Sequence, residues 1–197
     1  MLTRTKTVIV SLAAIALIAA AFFGWGLYQH IYYYHFKTVK SGVLYRSGEP
    51  STTSFKSIYA RTHFKSIVIL RSKVEIAKNT QDWYGIETNF AKQHGVKVHV
   101  IYSGADIPPT NKQVNQFVNI VNDPANQPVL VHCAQGVIRT GMMVAAYRLK
   151  VMHESAQQVL ATFPLFGHTL TDHPEVAVFI KQYEQHLQAK RASNAVT

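Results

Sequence analysis

Cys133 is the only cysteine in 197 residues, so the chain can close no disulfide within itself, and its cysteine usage says nothing about compartment. Acidic residues are also scarce, 10 against 20 lysines and arginines, which leaves a formal charge of +10. The basic residues are scattered, with no cluster interleaved with aromatics, and this argues against nucleic acid as a partner. A positive field of that kind favours phosphate esters or acidic lipid. No internal repeat and no low-complexity segment is present, so repeat architectures are excluded. Nor do the 10 histidines fall into metal-ligand spacing. His94 and His99 straddle a turn into a strand, His168 and His173 share a loop, and neither pair shows a helix-face interval or a carboxylate companion. No metal and no cofactor is therefore expected.

What is present concentrates in one stretch. Val129, Leu130, Val131 and His132 follow Pro128 as an apolar run that predicts a buried strand. Met142 to Lys150 predicts a helix. Between them a tight loop carries Cys133 at one end and Arg139 at the other. Strand, loop and helix N-terminus together gather backbone N–H groups around an anion. A cysteine there has its thiolate favoured by the helix dipole and by nearby cationic charge. The planar fork of Arg139 can hold two phosphate oxygens at once, and Thr140 can donate its hydroxyl to the thiolate. Gly136 permits a tight turn and a close approach to a ligand.

The sequence His132-Cys133-Ala134-Gln135-Gly136-Val137-Ile138-Arg139-Thr140-Gly141 resembles the Cys-x5-Arg motif of protein tyrosine and dual-specificity phosphatases. Ile138 departs from the pattern, standing where that family has a small or polar residue. Leu44-Tyr45-Arg46-Ser47, with Pro50 three residues on, resembles the opening of bacterial dual-specificity-like phosphatases, many of which carry an N-terminal membrane segment. The resemblance implies a phosphate monoester hydrolase acting on a phosphorylated protein or a small phosphoester. Cys133 would be the nucleophile, with Arg139 and Thr140 as its catalytic companions. His132, Ala134, Gln135, Gly136, Val137, Ile138 and Arg139 would form the phosphate-binding loop, with the His132 ring ordering it. It also implies a general acid on a loop ahead of a proline, between a strand and a helix. Asp106 is the only carboxylate in Tyr102 to Thr110, ahead of Pro108 and Pro109, and it takes that role here. Glu75, Glu87 and Asp172 are the reserves. Arg46 would support the loop from behind or make a structural ion pair. Two other readings of the loop stay open: a silent phospho-ligand-binding module and a rhodanese-like sulfurtransferase. Gln135, Val137 and Ile138 supply no lysine, which argues against polyphosphorylated inositols as substrate.

The expected fold is α/β, with a central, largely parallel sheet flanked by helices, preceded by one transmembrane helix. Residues 1–34 form the anchor and juxtamembrane segment, 35–187 the phosphatase domain and 188–197 a flexible tail. In the anchor, Arg4 and Lys6 precede an apolar run from Val8 to Leu27, followed by Tyr28, Tyr32, Tyr33 and Tyr34 as an interfacial belt. A signal peptide cleaved near Ala19-Ala20-Ala21 is the alternative. Arg4 and Lys6 lie closer to the apolar run than Lys37 and Lys40 do. That places the N-terminus in the cytoplasm and the domain outside, in the periplasm for a protein of a bacterial inner membrane. Within the domain, strands are expected at 36–40, 43–47, 66–71 and 96–101. Helices are expected from Ser54, over 82–94 and 111–122, from Ser155, and from Pro174.

Overall fold

The computed structural model describes residues 2–194; the side chains of Arg4 and Lys6 and residues 195–197 lie outside the described residues. Five strands form one sheet: β1 (Lys37–Lys40), β2 (Leu44–Ser47), β3 (Ser66–Ile69), β4 (Lys97–Val100) and β5 (Val129–His132). Their spatial order is β1-β2-β5-β3-β4. Only the edge strand β1 runs antiparallel, to β2; the β2–β5, β5–β3 and β3–β4 pairs are parallel. The expected α/β architecture with a largely parallel sheet is the one observed.

Both faces of that sheet are covered, so its middle strands are apolar without alternation. Val129 and Val131 of β5 and Val68 of β3 pack on one face, in a core with helices α5 (Asn111–Asn122), α6 (Ile138–Val151), α7 (Ala156–Ala161) and α8 (Pro174–Asn194). Leu130, Ile67 and Ile69 point the other way, into a second core with α2 (Thr52–Thr62) and α4 (Trp83–His94). Burying each Val or Leu side chain stabilises the layers by about 1.5–3 kcal/mol.

Helix ends follow local sequence. Ser51, Thr110 and Ser155 cap α2, α5 and α7 through their side chains, and the last two form full capping boxes with Gln113 and Gln158. One helix was not foreseen: α3 (Lys73–Lys78), short and without a buried residue, but closed by a capping box between Ser72 and Glu75. The segment from Gln188, expected as an irregular tail, is helical to Asn194; Ala189, Lys190, Arg191 and Ala192 are strong helix formers that extend α8.

Helix α1 (Leu2–Tyr32) precedes the sheet, and its stretch Ser11–Tyr32 is long and apolar enough to cross a bilayer, with a mean hydropathy of 1.8 and no burial against the rest of the chain. Its end is docked on the domain: the Ser54 hydroxyl donates to the Ile31 carbonyl at 2.8 Å.

Candidate active site

All four parallel strands end on one edge, where open α/β sheets place their ligands. The chain leaves β2 into Glu49, β3 into Arg71 and Ser72, β4 into the Asp106 loop, and β5 into Cys133. Strand β5 lies between β2 and β3, so its loop has neighbours on both sides.

The Cys133–Val137 loop turns back on itself through Gly136, whose φ is +73°. The Gly136 N–H donates to Cys133 Sγ at 3.2 Å. A Cβ at this position would run into the Ser47 carbonyl at the end of β2, so geometry and space both demand glycine. The loop carbonyls are held in turn. Arg46 Nη2 donates to the Gly136 oxygen, the Glu49 amide to Ala134 O at 2.8 Å, and His35 Nδ1 lies 2.6 Å from Gln135 O. Arg46 therefore supports the loop, and among the described residues it does so without a carboxylate partner. Its guanidinium is 2% exposed, and burial brings it down to about 10, while the Cys133 thiolate pulls the other way.

Cys133 is buried, which alone would disfavour its thiolate. The Thr140 hydroxyl and amide, the Arg139 charge and the Gly136 amide outweigh burial and draw the thiol below its usual range. Arg139 and Thr140 lie in the first turn of α6, and both are buried. Cys133, Gly136, Arg139 and Thr140 thus come together as the sequence led one to expect.

Two carboxylates contribute in ways the sequence reading missed. Glu75 accepts both arms of the Arg139 fork, Nη1 at 2.7 Å and Nη2 at 3.0 Å. Partial burial would raise the Glu75 carboxyl, but the Arg139 fork and the Ser72 amide and hydroxyl hold it down to about 2. Both Glu75 oxygens are thereby engaged by Arg139. Arg71 continues the chain of charges, bonded to Glu75 at 2.6 Å and to Glu49, and stacked over the Trp83 ring at 4.6 Å. The readable signal was the Ser72-x-x-Glu75 spacing, which fixes the start of α3 and so the position of that carboxylate.

Glu87 is the other. It sits on the face of α4 that buries Trp83, Phe90 and Ala91, and its Oε2 lies 3.2 Å from His132 Nε2 with both side chains almost fully buried. Burial would lower the His132 ring, but the Glu87 charge beside it outweighs that and raises it. A carboxylate on the apolar face of a helix was the available clue. With His132 Nδ1 3.2 Å from the Cys133 carbonyl, the ring ties α4 to the start of the loop.

Asp106 lies on the exposed loop after β4 and makes no hydrogen bond or ion pair among the described residues. Its carboxylate gathers with the side chains of His173 and Glu175, all three ligand atoms lying within 4.8 Å of one another. The expectation that His173 lacks a carboxylate companion is thus corrected: Glu175 pairs with it at 3.2 Å, because the turn into α8 folds the two together. Asp172 instead accepts from the Thr169 hydroxyl at 2.7 Å, on the surface.

Comparison with known proteins resolves what kind of loop this is. Residues 34–179 match the model of a family described as a DSP-PTPase phosphatase fused to NAD+ kinase. The chain belongs to this phosphatase family. Among individual relatives, the inositol diphosphatase SIW14 of Saccharomyces cerevisiae is 32% identical over 111 residues, 54% of this chain and 37% of that protein. The tyrosine-protein phosphatase-like protein OCA2 of the same yeast is 26% identical over 75% of this chain and 72% of its own length. The solved core catalytic domain of SIW14, in complex with citrate, superposes with a TM-score of 0.64 at 26% identity, covering 82% of this chain and 92% of that one. Pseudomonas aeruginosa TpbA, at 21% identity and a TM-score of 0.57, shares the fold. The expected family of DSP-like, cysteine-dependent phosphatases is borne out, and the rhodanese-like alternative falls away. This chain spans little more than a third of SIW14, so that protein's whole activity does not transfer with the match.

Proposed function

We propose that the chain hydrolyses phosphate esters through a cysteinyl-phosphate intermediate. The observation that carries this reading is Cys133, whose thiol is lowered inside a loop that also holds an oriented arginine. Cys133 Sγ attacks phosphorus and forms an S–P bond as the P–O bond to the leaving group breaks. Loop amides and Arg139 hold the equatorial oxygens. Asp106 gives its proton to the departing oxygen. It then takes one from the water that displaces the sulfur and releases phosphate. Its place on the strand edge that bears the loop, with no ion pair among the described residues, supports this role for Asp106.

The proposed substrate is a small phosphorylated molecule or a phosphorylated protein. SIW14 and DSP2 of Oryza sativa are named as inositol diphosphatases, which draws the reading toward densely phosphorylated small molecules, against the missing loop lysines. A screen of the full chain against phosphopeptides, inositol phosphates and inositol diphosphates decides the class. Cys133→Ser tests the mechanism itself: turnover vanishes while vanadate binding survives, because a serine hydroxyl is scarcely ionised at neutral pH. Turnover within about tenfold of the parent would overturn the covalent route.

The proposal extends to layout. Residues 1–34 anchor the chain as a single membrane span and 35–187 form the catalytic domain, facing outward, in the periplasm of a bacterial cell. The apolar Ser11–Tyr32 helix supports the span, and the charges flanking it in the sequence support the orientation. A membrane-impermeant thiol reagent labels Cys133 on intact cells under this reading; labelling only after lysis reverses the orientation.

A further inference from the structure

A cavity of about 610 Å³ opens beside the phosphate loop rather than over it, between β1, α6 and the α7 segment. Of the loop-and-helix motif it touches Gly141, Val144, Ala145 and Arg148, and none of residues 132–140. Its charged lining is Lys37, Arg46, Arg148 and Glu154. Glu154 is occupied by Arg148, accepting from Nε at 3.1 Å, so two cations face this space uncompensated. Lys37 is exposed and makes no ion pair among the described residues. Arg46 is the more telling: it is 2% exposed, its Nε is buried without a hydrogen-bond partner, and no carboxylate among the described residues pairs with it. Its Nη2 is spent on the loop carbonyls and the Cys133 thiolate is its anionic neighbour on the loop side, which leaves Nε, on the cavity side, as a buried charged donor that an incoming anion can meet.

The remaining walls are apolar, with Val144, Ala145, Val159, Phe163 and Phe166 among them. They suit the body of an amphiphile more than a bare inorganic ion. The cavity reaches toward the end of α1 only through a neighbouring groove. A second groove of about 510 Å³, lined by Trp25, Gln29, His30 and Tyr33, shares Lys37 and Phe166 with it. A molecule that lives at a bilayer surface would arrive at this mouth.

We propose that this cavity is a second anion site, separate from the phosphate loop, for an amphiphile with one phosphate or carboxylate head and an apolar body. Its head sits between Lys37 and Arg46, its body lies against Val144 and Phe163, and Arg46 relays occupancy to the loop. The relay has one intermediate: Arg46 donates to the Gly136 carbonyl, and the Gly136 amide donates to Cys133 Sγ. An anion that neutralises Arg46 removes one of the positive charges that favour the thiolate, so occupancy slows reaction at the sulfur. The binding half of the inference stands whether or not the loop turns over substrate.

The test uses the full chain in nanodiscs of neutral lipid, with orthovanadate saturating the phosphate loop. Dansyl-labelled undecanoate is the fluorescent probe. It binds in the presence of vanadate, decyl phosphate and decanoate displace it, and decanol does not. Lys37→Glu weakens it by roughly threefold or more, the scale of one charge contact at an exposed residue. Val144→Phe fills the space and weakens it as well. Without vanadate, decanoate, which is no phosphate ester, slows iodoacetamide alkylation of Cys133 at neutral pH, and acetate at the same concentration does not. A second arm replaces the free amphiphile by anionic lipid in the nanodisc: probe loss there identifies the bilayer as the source, and probe retention identifies a free metabolite. No probe binding, complete displacement by vanadate, equal displacement by decanol, or unchanged affinity in Lys37→Glu overturns the site. Unchanged alkylation with the probe bound overturns the relay.

Discussion

Both arms of the Arg139 guanidinium are bonded to the two carboxylate oxygens of Glu75, at 2.7 and 3.0 Å, so the fork is fixed before any phosphate arrives. An arginine with that many rotatable bonds otherwise gives up rotamer freedom when it binds substrate. Glu75→Gln should therefore act through position rather than through chemistry. The expected loss is about 10²-fold in kcat/KM, on the scale of misplacing a group that must meet the transition state. The Cys133 alkylation rate should move far less than that. Loss of alkylation to the same extent would show that Glu75 supports the sulfur and not the fork.

Asp106→Asn should lower kcat by roughly 10²–10⁴-fold on an alkyl phosphate, whose leaving oxygen needs a proton. On p-nitrophenyl phosphate, whose leaving group departs without help, the loss should be much smaller. A comparison of the two substrates checks the assignment. Equal losses on both would move the acid elsewhere.

Glu87→Gln should destabilise the fold by about 3–5 kcal/mol, the usual result of removing one partner of a buried ion pair. The pH dependence follows from the raised His132 ring. Its stabilising pair with Glu87 is fully present below 6.5, the value of a free histidine, and is lost as pH rises through the higher folded value. The stability gap between parent and variant should thus be widest in mild acid and narrow in base. Denaturant unfolding on both sides of 6.5 measures it.

Gly136→Ala should combine a left-handed backbone that alanine resists with a clash against Ser47 O, costing roughly 1–3 kcal/mol and displacing the amide that meets Cys133. Slower Cys133 alkylation at neutral pH, together with lost turnover, is the expected pair of results. A variant with unchanged alkylation would mean that the Gly136 amide does not support the thiolate.

Much of this was legible in the chain. The phosphate loop could be read because strand, turn and helix start are each written in adjacent residues, from Val129 through Gly141. Helix α5 could be read to the residue, because Thr110 and Gln113 announce its cap. The partners of the loop could not be read in the same way. Glu75 comes 64 residues before Arg139, and Glu87 reaches His132 only because α4 packs across β5. Neither pairing has a local signature, since each is set by which strands the sheet places side by side. The extension of α8 beyond Gln188 was missed for another reason: its residues favour helix but bury nothing, so no period marks it.

The short connection between α1 and β1 has a practical meaning. Tyr34 covers Gly48 with its ring and takes the Gly48 amide on its carbonyl at 2.9 Å, and His35 bonds Gln135 O and stacks on Phe166 at 4.3 Å. Residues that look like the end of an anchor are therefore also a wall of the catalytic loop. Where the chain is cut for solubility decides which enzyme is measured. A fragment starting at residue 33 keeps that wall, whereas one starting at residue 36 leaves the Gln135 carbonyl unpaired and the rate it reports is that of a loosened loop.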